Sequence, residues 1–106
     1  MNKKAVIKKT TKKIAEEALK DVIDPELGVN IVDLGLVYSV TLRKDKIYLK
    51  MTLTFPGCPL AGPITREAKE VLKALPGIKK AKVSLVWDPP WTPDMVNKDI
   101  KDELGL

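Results

Sequence analysis

The chain has 106 residues, of which 44% are hydrophobic and 31% charged, and its formal net charge is +5. That length suits one domain with one core, and the composition excludes an intrinsically disordered chain. The apolar runs are only a few residues long, well short of the ~20 that span a bilayer, and no apolar signal core follows the basic N-terminus. We therefore expect a cytoplasmic protein with no membrane partner.

The positive charge is concentrated at the N-terminus, where six of the first thirteen residues are lysines. No aromatic residue is interleaved with them, and no nucleic-acid-binding motif is present. We predict a flexible basic tail over residues 1–9, a single domain over residues 10–106 and no nucleic-acid partner. The chain has no Gln, no His and three Asn beside many Lys and Glu, a composition typical of thermophile proteins.

The first predicted element is an amphipathic helix that Thr10 or Thr11 caps and that ends near Ile23, before an Asp-Pro step. Glu16 stands four residues before Lys20, a spacing that predicts an ion pair on the helix surface. The apolar positions recur at helical spacing. They are Ile14, Ala15, Ala18, Leu19 and Val22.

An irregular stretch over residues 24–30 leads into a predicted β-hairpin. Apolar residues alternate over 36–42 and again over 47–53, on either side of a polar turn. If Leu42 pairs with Ile47, the antiparallel register places Gly35 opposite Thr54 and Asp33 opposite Pro56.

The second half of the sequence predicts a helix, a third strand and a last helix. Helical spacing of apolar residues over 64–75 stops at a Pro-Gly pair, and a strand follows with Ala81, Val83, Leu85 and Trp87 on one face. The last helix is predicted to begin at Thr92-Pro93-Asp94 and to run to about Leu104. The order α-β-β-α-β-α predicts an α/β fold of the α+β type. Its small three-stranded mixed sheet carries helices mainly on one face.

Three loops are expected to meet at one edge of this sheet. The second helix has the length of a crossover, so the third strand should run parallel to the second and end beside it. Residues 24–35, 54–63 and 87–91 then cluster outside the carboxyl ends of two strands, where α/β sheets usually place ligands. This cluster is the candidate site.

Cys58 is the only cysteine, so the chain cannot form an internal disulfide, which fits a reducing compartment. A thiol just before a helix N-terminus has a lowered pKa and is a candidate nucleophile or metal ligand. Covalent catalysis would need a base, and without histidine only Asp24, Glu26 or Asp33 is available. Because a carboxylate raises the pKa of a nearby thiol, we expect no catalysis and no enzyme.

As a metal ligand, Cys58 cannot hold an iron-sulfur cluster alone, because such clusters take about four ligands, mostly cysteine. Two subunits, or one subunit and a client protein, could supply the rest and give labile binding suited to transfer. A structural alternative stays open for each candidate. Cys58 could pack as a small hydrophobe, Asp24 and Asp33 could cap their own turns, and Trp87 and Trp91 could serve packing instead of partner binding.

Four motifs in this order and spacing resemble the family of PaaD-like and SufT-like iron-sulfur assembly factors. The resemblance extends from about residue 14 to residue 106, and four motifs together are specific. They are Asp24-Pro25-Glu26, Asp33-Leu34-Gly35-Leu36-Val37-Tyr38, Thr52-Leu53-Thr54-Phe55-Pro56-Gly57-Cys58-Pro59 and Val86-Trp87-Asp88-Pro89-Pro90-Trp91.

The resemblance implies an iron-sulfur cluster assembly domain fold and a role in maturing cluster-containing proteins. It implies that Cys58 is the functional cysteine, a candidate ligand of a transient Fe-S cluster, and that Asp24 and Glu26 belong to the site. The expected partners are Fe-S client proteins, other assembly factors and a second copy of the chain. The alternative is an accessory subunit or docking adaptor for a partner enzyme or assembly ATPase, which binds no metal itself.

Overall fold

A three-stranded mixed sheet forms the centre of the structure, a computed structural model that describes residues 10–54 and 61–105. The predicted tail over residues 1–9 and Cys58 lie outside these ranges. In chain order the elements are α1 (Lys12–Ala18), β1 (Ile23–Asp24), β2 (Val29–Asn30), β3 (Val37–Arg43), β4 (Lys46–Met51), α2 (Ala61–Lys73), β5 (Lys80–Leu85) and α3 (Lys98–Leu104).

The sheet has the predicted topology, with strand order β3-β4-β5. β3 and β4 form an antiparallel hairpin in which Leu42 lies opposite Ile47, as the alternation predicts. β5 runs parallel to β4, and the backbone N–H of Val86 extends this pairing by donating to the carbonyl of Met51 at 2.9 Å. The mixed three-stranded sheet of the sequence prediction is confirmed, and α2 is its crossover.

A β-bulge after Val37 shifts the hairpin register by one residue near its open end. The prediction that Gly35 lies opposite Thr54 assumes an unbroken ladder and is therefore wrong by one residue. The companion prediction for Asp33 involves Pro56, which lies outside the described residues.

The core lies between one face of the sheet and the helices α1 and α2, which contact β3 and β5 respectively. Ile47, Leu49 and Met51 of β4 are buried on this face, whereas Lys46 and Lys50 are exposed on the other. This alternation confirms that helices cover mainly one face. In the described part of the chain, no helix combines the length and apolarity needed to cross a bilayer.

The first helix is shorter than its apolar periodicity predicts. The Thr11 hydroxyl caps α1 by accepting a backbone N–H at 3.1 Å, but the last predicted turn is a separate 3₁₀ turn, Leu19–Asp21. Lys20 pairs at 3.2 Å with Glu17, not with the expected Glu16. A tighter 3₁₀ turn brings residues three apart above one another, which accounts for the change of partner.

The stretch after this helix is more regular than expected. Residues 24–30 were predicted to be irregular, but Ile23–Asp24 and Val29–Asn30 form a two-stranded antiparallel ladder. Pairs this short carry too few alternating residues to be detected from sequence.

The last predicted helix is divided in two. Pro93–Met95 form a 3₁₀ turn, Val96 is extended and buried, and Asn97 caps α3, which ends at the left-handed Gly105. The side chain of Thr92 makes no capping hydrogen bond, so the prediction of one continuous helix from this residue is wrong. Burial of Val96 in the core interrupts the helix, because its backbone must leave helical geometry to reach that position.

Candidate functional site

A cavity of about 380 Å³ lies where the three loops were expected to meet. Each predicted segment contributes to its wall, and three residues of the C-terminal region complete the lining. The lining residues are Asp24, Glu26, Leu27, Leu34, Thr54, Trp91, Pro93, Val96 and Leu104. Thr54 is the last described residue before the segment that contains Cys58, so the chain enters that segment from the cavity wall.

Asp24 is the buried acid of this cavity, with 4% of its surface exposed. Its Oδ1 accepts the backbone N–H groups of Glu26 at 2.8 Å and Leu27 at 3.2 Å, so it does cap its own turn. In the described part of the structure, no hydrogen bond is made to its second carboxylate oxygen. Burying a carboxylate without full hydrogen bonding costs free energy. The second carboxylate oxygen of Asp24 is therefore available to accept a hydrogen bond in the cavity, while Oδ1 supports the turn.

The other two candidate acids have different positions. Glu26 is exposed and lines the cavity. Asp33 lies outside the cavity lining, and its carboxylate accepts the side-chain amide of Asn30 at 2.9 Å. Its carbonyl accepts the backbone N–H of Asn97 at 2.7 Å, just where α3 begins. The backbone of Asp33 therefore holds the C-terminal region against the loop, whereas its side chain accepts from Asn30 and does not cap its own turn as the structural alternative expected.

The two tryptophans also divide their roles. Trp91 is half-buried in the cavity wall, and its Nε1–H donates to the carbonyl of Leu34 at 2.7 Å. Trp87 is 42% exposed and does not line the cavity. The hydroxyl of Tyr38 donates to the carbonyl of Pro89 at 2.8 Å and fixes the loop between the tryptophans.

Gly35 explains how the loop and the C-terminal region approach so closely. Its φ is +77°, and a Cβ at this position would meet the carbonyl carbon of Met95 at 2.8 Å. No larger residue fits this contact without moving the 3₁₀ turn that carries Met95. The glycine thus allows the 3₁₀ turn before Val96 to pack directly on the loop that carries Leu34, two residues that line the cavity.

Sequence reasoning missed the contribution of the C-terminal region. Pro93, Val96 and Leu104 all line the cavity, although none was predicted to belong to the site. The available signal was the apolar pair Ile100 and Leu104, one helical turn apart on a helix that is otherwise polar.

The described residues offer carboxylates, backbone groups and an apolar wall. Among residues 10–54 and 61–105, no three side chains of His, Cys, Asp or Glu lie close enough together to hold a metal ion. Asp24 and Glu26 are the acids at the cavity, and a carboxylate can accept hydrogen bonds or supply a single oxygen ligand. A shaped apolar cavity with few polar groups is typical of a binding site.

The chain is similar to several known proteins that are named for roles in iron-sulfur protein maturation or cluster transport. The chain is 50% identical over 90 residues to the Fe-S protein maturation auxiliary factor YitW of Bacillus subtilis, covering 84% of this chain and 88% of that protein. It is 46% identical to the Fe-S protein maturation auxiliary factor SufT of Staphylococcus aureus, covering 80% and 98%. It is 36% identical to an iron-sulfur cluster carrier protein of Deinococcus radiodurans, covering 62% of this chain and 19% of that protein.

Solved structures show the same fold. A crystal structure of a domain of unknown function from Bacillus anthracis has a TM-score of 0.85 and 41% identity, covering 90% of this chain and 92% of that one. A conserved hypothetical protein from Thermotoga maritima has a TM-score of 0.81 and 42% identity, covering 93% and 98%. Residues 12–85 match the family model described as iron-sulfur cluster assembly protein. The resemblance of the four motifs is thereby confirmed, and the chain belongs to the iron-sulfur cluster assembly protein family.

Proposed function

We propose that this chain is a non-enzymatic factor that assembles or delivers iron-sulfur clusters to client proteins in the cytoplasm. The cluster is cargo, held transiently through the thiolate of Cys58. Family membership supports this role, as do the names of the relatives, which are maturation auxiliary factors and a cluster carrier protein.

The observation that carries the proposal is the cavity at the entry to the Cys58 segment. It combines the buried Asp24, the exposed Glu26 and an apolar wall, and one of its lining residues, Thr54, stands four residues before Cys58 in the chain. An apolar wall limits access of water, and the acids provide hydrogen-bond acceptors for protonated donors of a client.

Because one chain provides too few ligands for a cluster, it would hold the cluster weakly and release it readily. One chain has one cysteine, so the remaining ligands come from a second subunit or from the client. During transfer each client thiol loses its proton as its sulfur binds iron, and the Cys58 thiolate takes up a proton as its bond to iron breaks. The exchange requires no net oxidation or reduction.

Anaerobic reconstitution with iron and sulfide tests this proposal, using visible absorption and size-exclusion chromatography as readouts. The wild type should gain a cluster and elute as a dimer, whereas Cys58→Ser should gain none while keeping its far-UV circular dichroism. A matched control places a cysteine on the exposed face of β3, as Thr41→Cys in the Cys58→Ser background. Cluster binding by this control would show that any exposed thiol suffices and would contradict a site at Cys58.

The exposed Trp87 favours a second candidate, a docking adaptor that binds no metal. Trp87 and its neighbour Leu85 are 42% and 36% exposed at the end of β5, and exposed aromatic residues are frequent binding hot spots. The adaptor hypothesis expects Trp87→Ala to abolish maturation of a cluster-dependent enzyme in cells while Cys58→Ser has no effect. The control is Ile14→Ala, which removes a comparably exposed apolar side chain, 39% exposed, from α1.

A further inference from the structure

The third strand of the sheet has an open edge. Among the described residues, β5 pairs only with β4. The backbone N–H of Lys80 donates to the carbonyl of Asp45, just before β4, at 3.3 Å, and that of Val86 donates to the carbonyl of Met51 in β4 at 2.9 Å. Because hydrogen-bonding groups alternate sides along a strand, those of Ala81, Val83 and Leu85 point to the open edge. This edge presents a row of donors and acceptors to an incoming strand.

Basic side chains flank this edge on both faces. Lys80 and Lys82 are exposed on the face of the sheet without helices, and together with Arg66 and Lys69 of α2 they line an open groove of about 580 Å³ along β5. Within the described part of the chain, none of these four forms an ion pair. Of the acids of α2, Glu67 lies away from the groove, whereas Glu70 lies one turn after Arg66 on the same face of the helix and forms no ion pair with it in the described part of the chain.

The cationic character of the open face has a stability cost. Arg43 lies directly opposite Lys46, and Lys46 lies directly opposite Lys80, so three like charges form one row across the sheet. Like charges placed directly opposite each other destabilise a sheet. An anionic partner would offset this repulsion, which favours its binding at this face.

We propose that the open edge of β5 binds an acidic peptide strand of a partner protein by strand addition. A strand paired with β5 places every second side chain on the face that carries Lys80 and Lys82, where alternate acidic residues would form cross-strand pairs. A second copy of β5 would bring its own lysines and be repelled. A nucleic acid offers phosphates but no matching row of backbone groups. Peptide binding at this edge does not require Cys58.

The test is fluorescence anisotropy with a short labelled peptide that alternates glutamate and threonine, titrated with the full chain at low and physiological salt. The expected result is binding that Lys80→Glu together with Lys82→Glu weakens by about tenfold or more. The matched control, Lys12→Glu with Lys13→Glu, makes the same change in net charge at exposed positions of α1 and should leave the affinity nearly unchanged. Equal weakening by both pairs would overturn the proposal.

Two further probes separate strand addition from charge attraction alone. A peptide with the same side chains but N-methylated at alternate backbone nitrogens should not bind, because it cannot complete the ladder. Amide hydrogen exchange at Ala81, Val83 and Leu85 should slow when the unmodified peptide is bound. Equal binding of the methylated peptide, or tighter binding of an oligothymidylate, would overturn the proposal, the latter in favour of nucleic acid. Peptide binding by Cys58→Ser should match the wild type, so failure here is distinguishable from failure of cluster transfer.

Discussion

Asp24 illustrates how one residue can serve both the fold and the site. One carboxylate oxygen accepts two backbone N–H groups of its own turn, and the residue also lines the cavity. The sequence offered these two roles as alternatives, whereas the structure combines them. Removing the charge and removing the hydrogen bonds should therefore have separable effects.

We expect Asp24→Asn to keep the fold, because an amide oxygen can accept the same N–H groups, and Asp24→Ala to leave both donors unsatisfied. The alanine variant should lose about 1–3 kcal/mol of unfolding free energy relative to the asparagine variant, measured by urea titration. Equal stability of the two variants would show that these hydrogen bonds do not support the turn.

Gly35 and Gly28 form a natural pair for testing the steric contact between the loop and the C-terminal region. Both have positive φ, +77° and +69°, but only a Cβ at Gly35 would meet another residue. Gly28→Ala should lower the free energy of unfolding by about 1–2 kcal/mol, because alanine is strained in a left-handed backbone conformation. Gly35→Ala should cost about 3 kcal/mol or more, because Met95 must also move. Thermal and urea unfolding measure the difference, and equal losses would show that the Met95 contact is not tight.

At the level of elements, the sequence predicts helices and strands best where the apolar residues follow a single spacing. Alternation fixed the pairing of Leu42 with Ile47, since a slip by one residue would expose the whole apolar face. The crossover rule then predicted a parallel β5. The β3–β4 hairpin and the parallel β5 strand together bring the three loops of the site to one edge of the sheet. Most of the cavity lining could therefore be expected from the sequence.

The elements that sequence did not predict depend on contacts distant in the chain. Val96 interrupts the last helix because it reaches the core, and the N–H of the following Asn97 donates to the carbonyl of Asp33. No local pattern at Thr92 shows that such a partner exists. The contribution of Leu104 to the cavity was missed for the same reason, since it depends on where α3 packs.

The cap of α3 gives a test at this scale. The Asn97 side chain accepts the backbone N–H of Asp99 at 2.9 Å, so Asn97→Ala should destabilise this short helix by about 1 kcal/mol. Asn97→Ser keeps a capping oxygen and should retain most of the stability. Hydrogen exchange should become faster in α3 for the alanine variant and stay unchanged in β4. Faster exchange throughout the sheet would mean that α3 does not open independently.

At the scale of the molecule, the two proposed surfaces lie on one continuous stretch of chain. The open edge of β5 leads into the exposed Trp87 and then into Trp91 at the cavity wall. A partner strand added along β5 would therefore extend toward Trp87 and Trp91, and so toward the cavity. Binding at the edge and delivery at the cavity would then involve one partner in one orientation.

The prediction of a single domain over residues 10–106 can be tested by unfolding. Leu72 of α2 is fully buried, and the partly buried Trp91 packs against the same core, so the sheet and the cavity should unfold together. Leu72→Ala should lower the unfolding free energy by about 2–5 kcal/mol and shift the urea midpoint equally by far-UV circular dichroism and by tryptophan emission, to which Trp91 at the cavity and the exposed Trp87 both contribute. Leu85→Ala removes the same side chain type from a position that is 36% exposed and should shift both midpoints much less. Separate midpoints in the wild type would mean that the cavity region unfolds apart from the sheet, and the chain would then have two cooperative units instead of one.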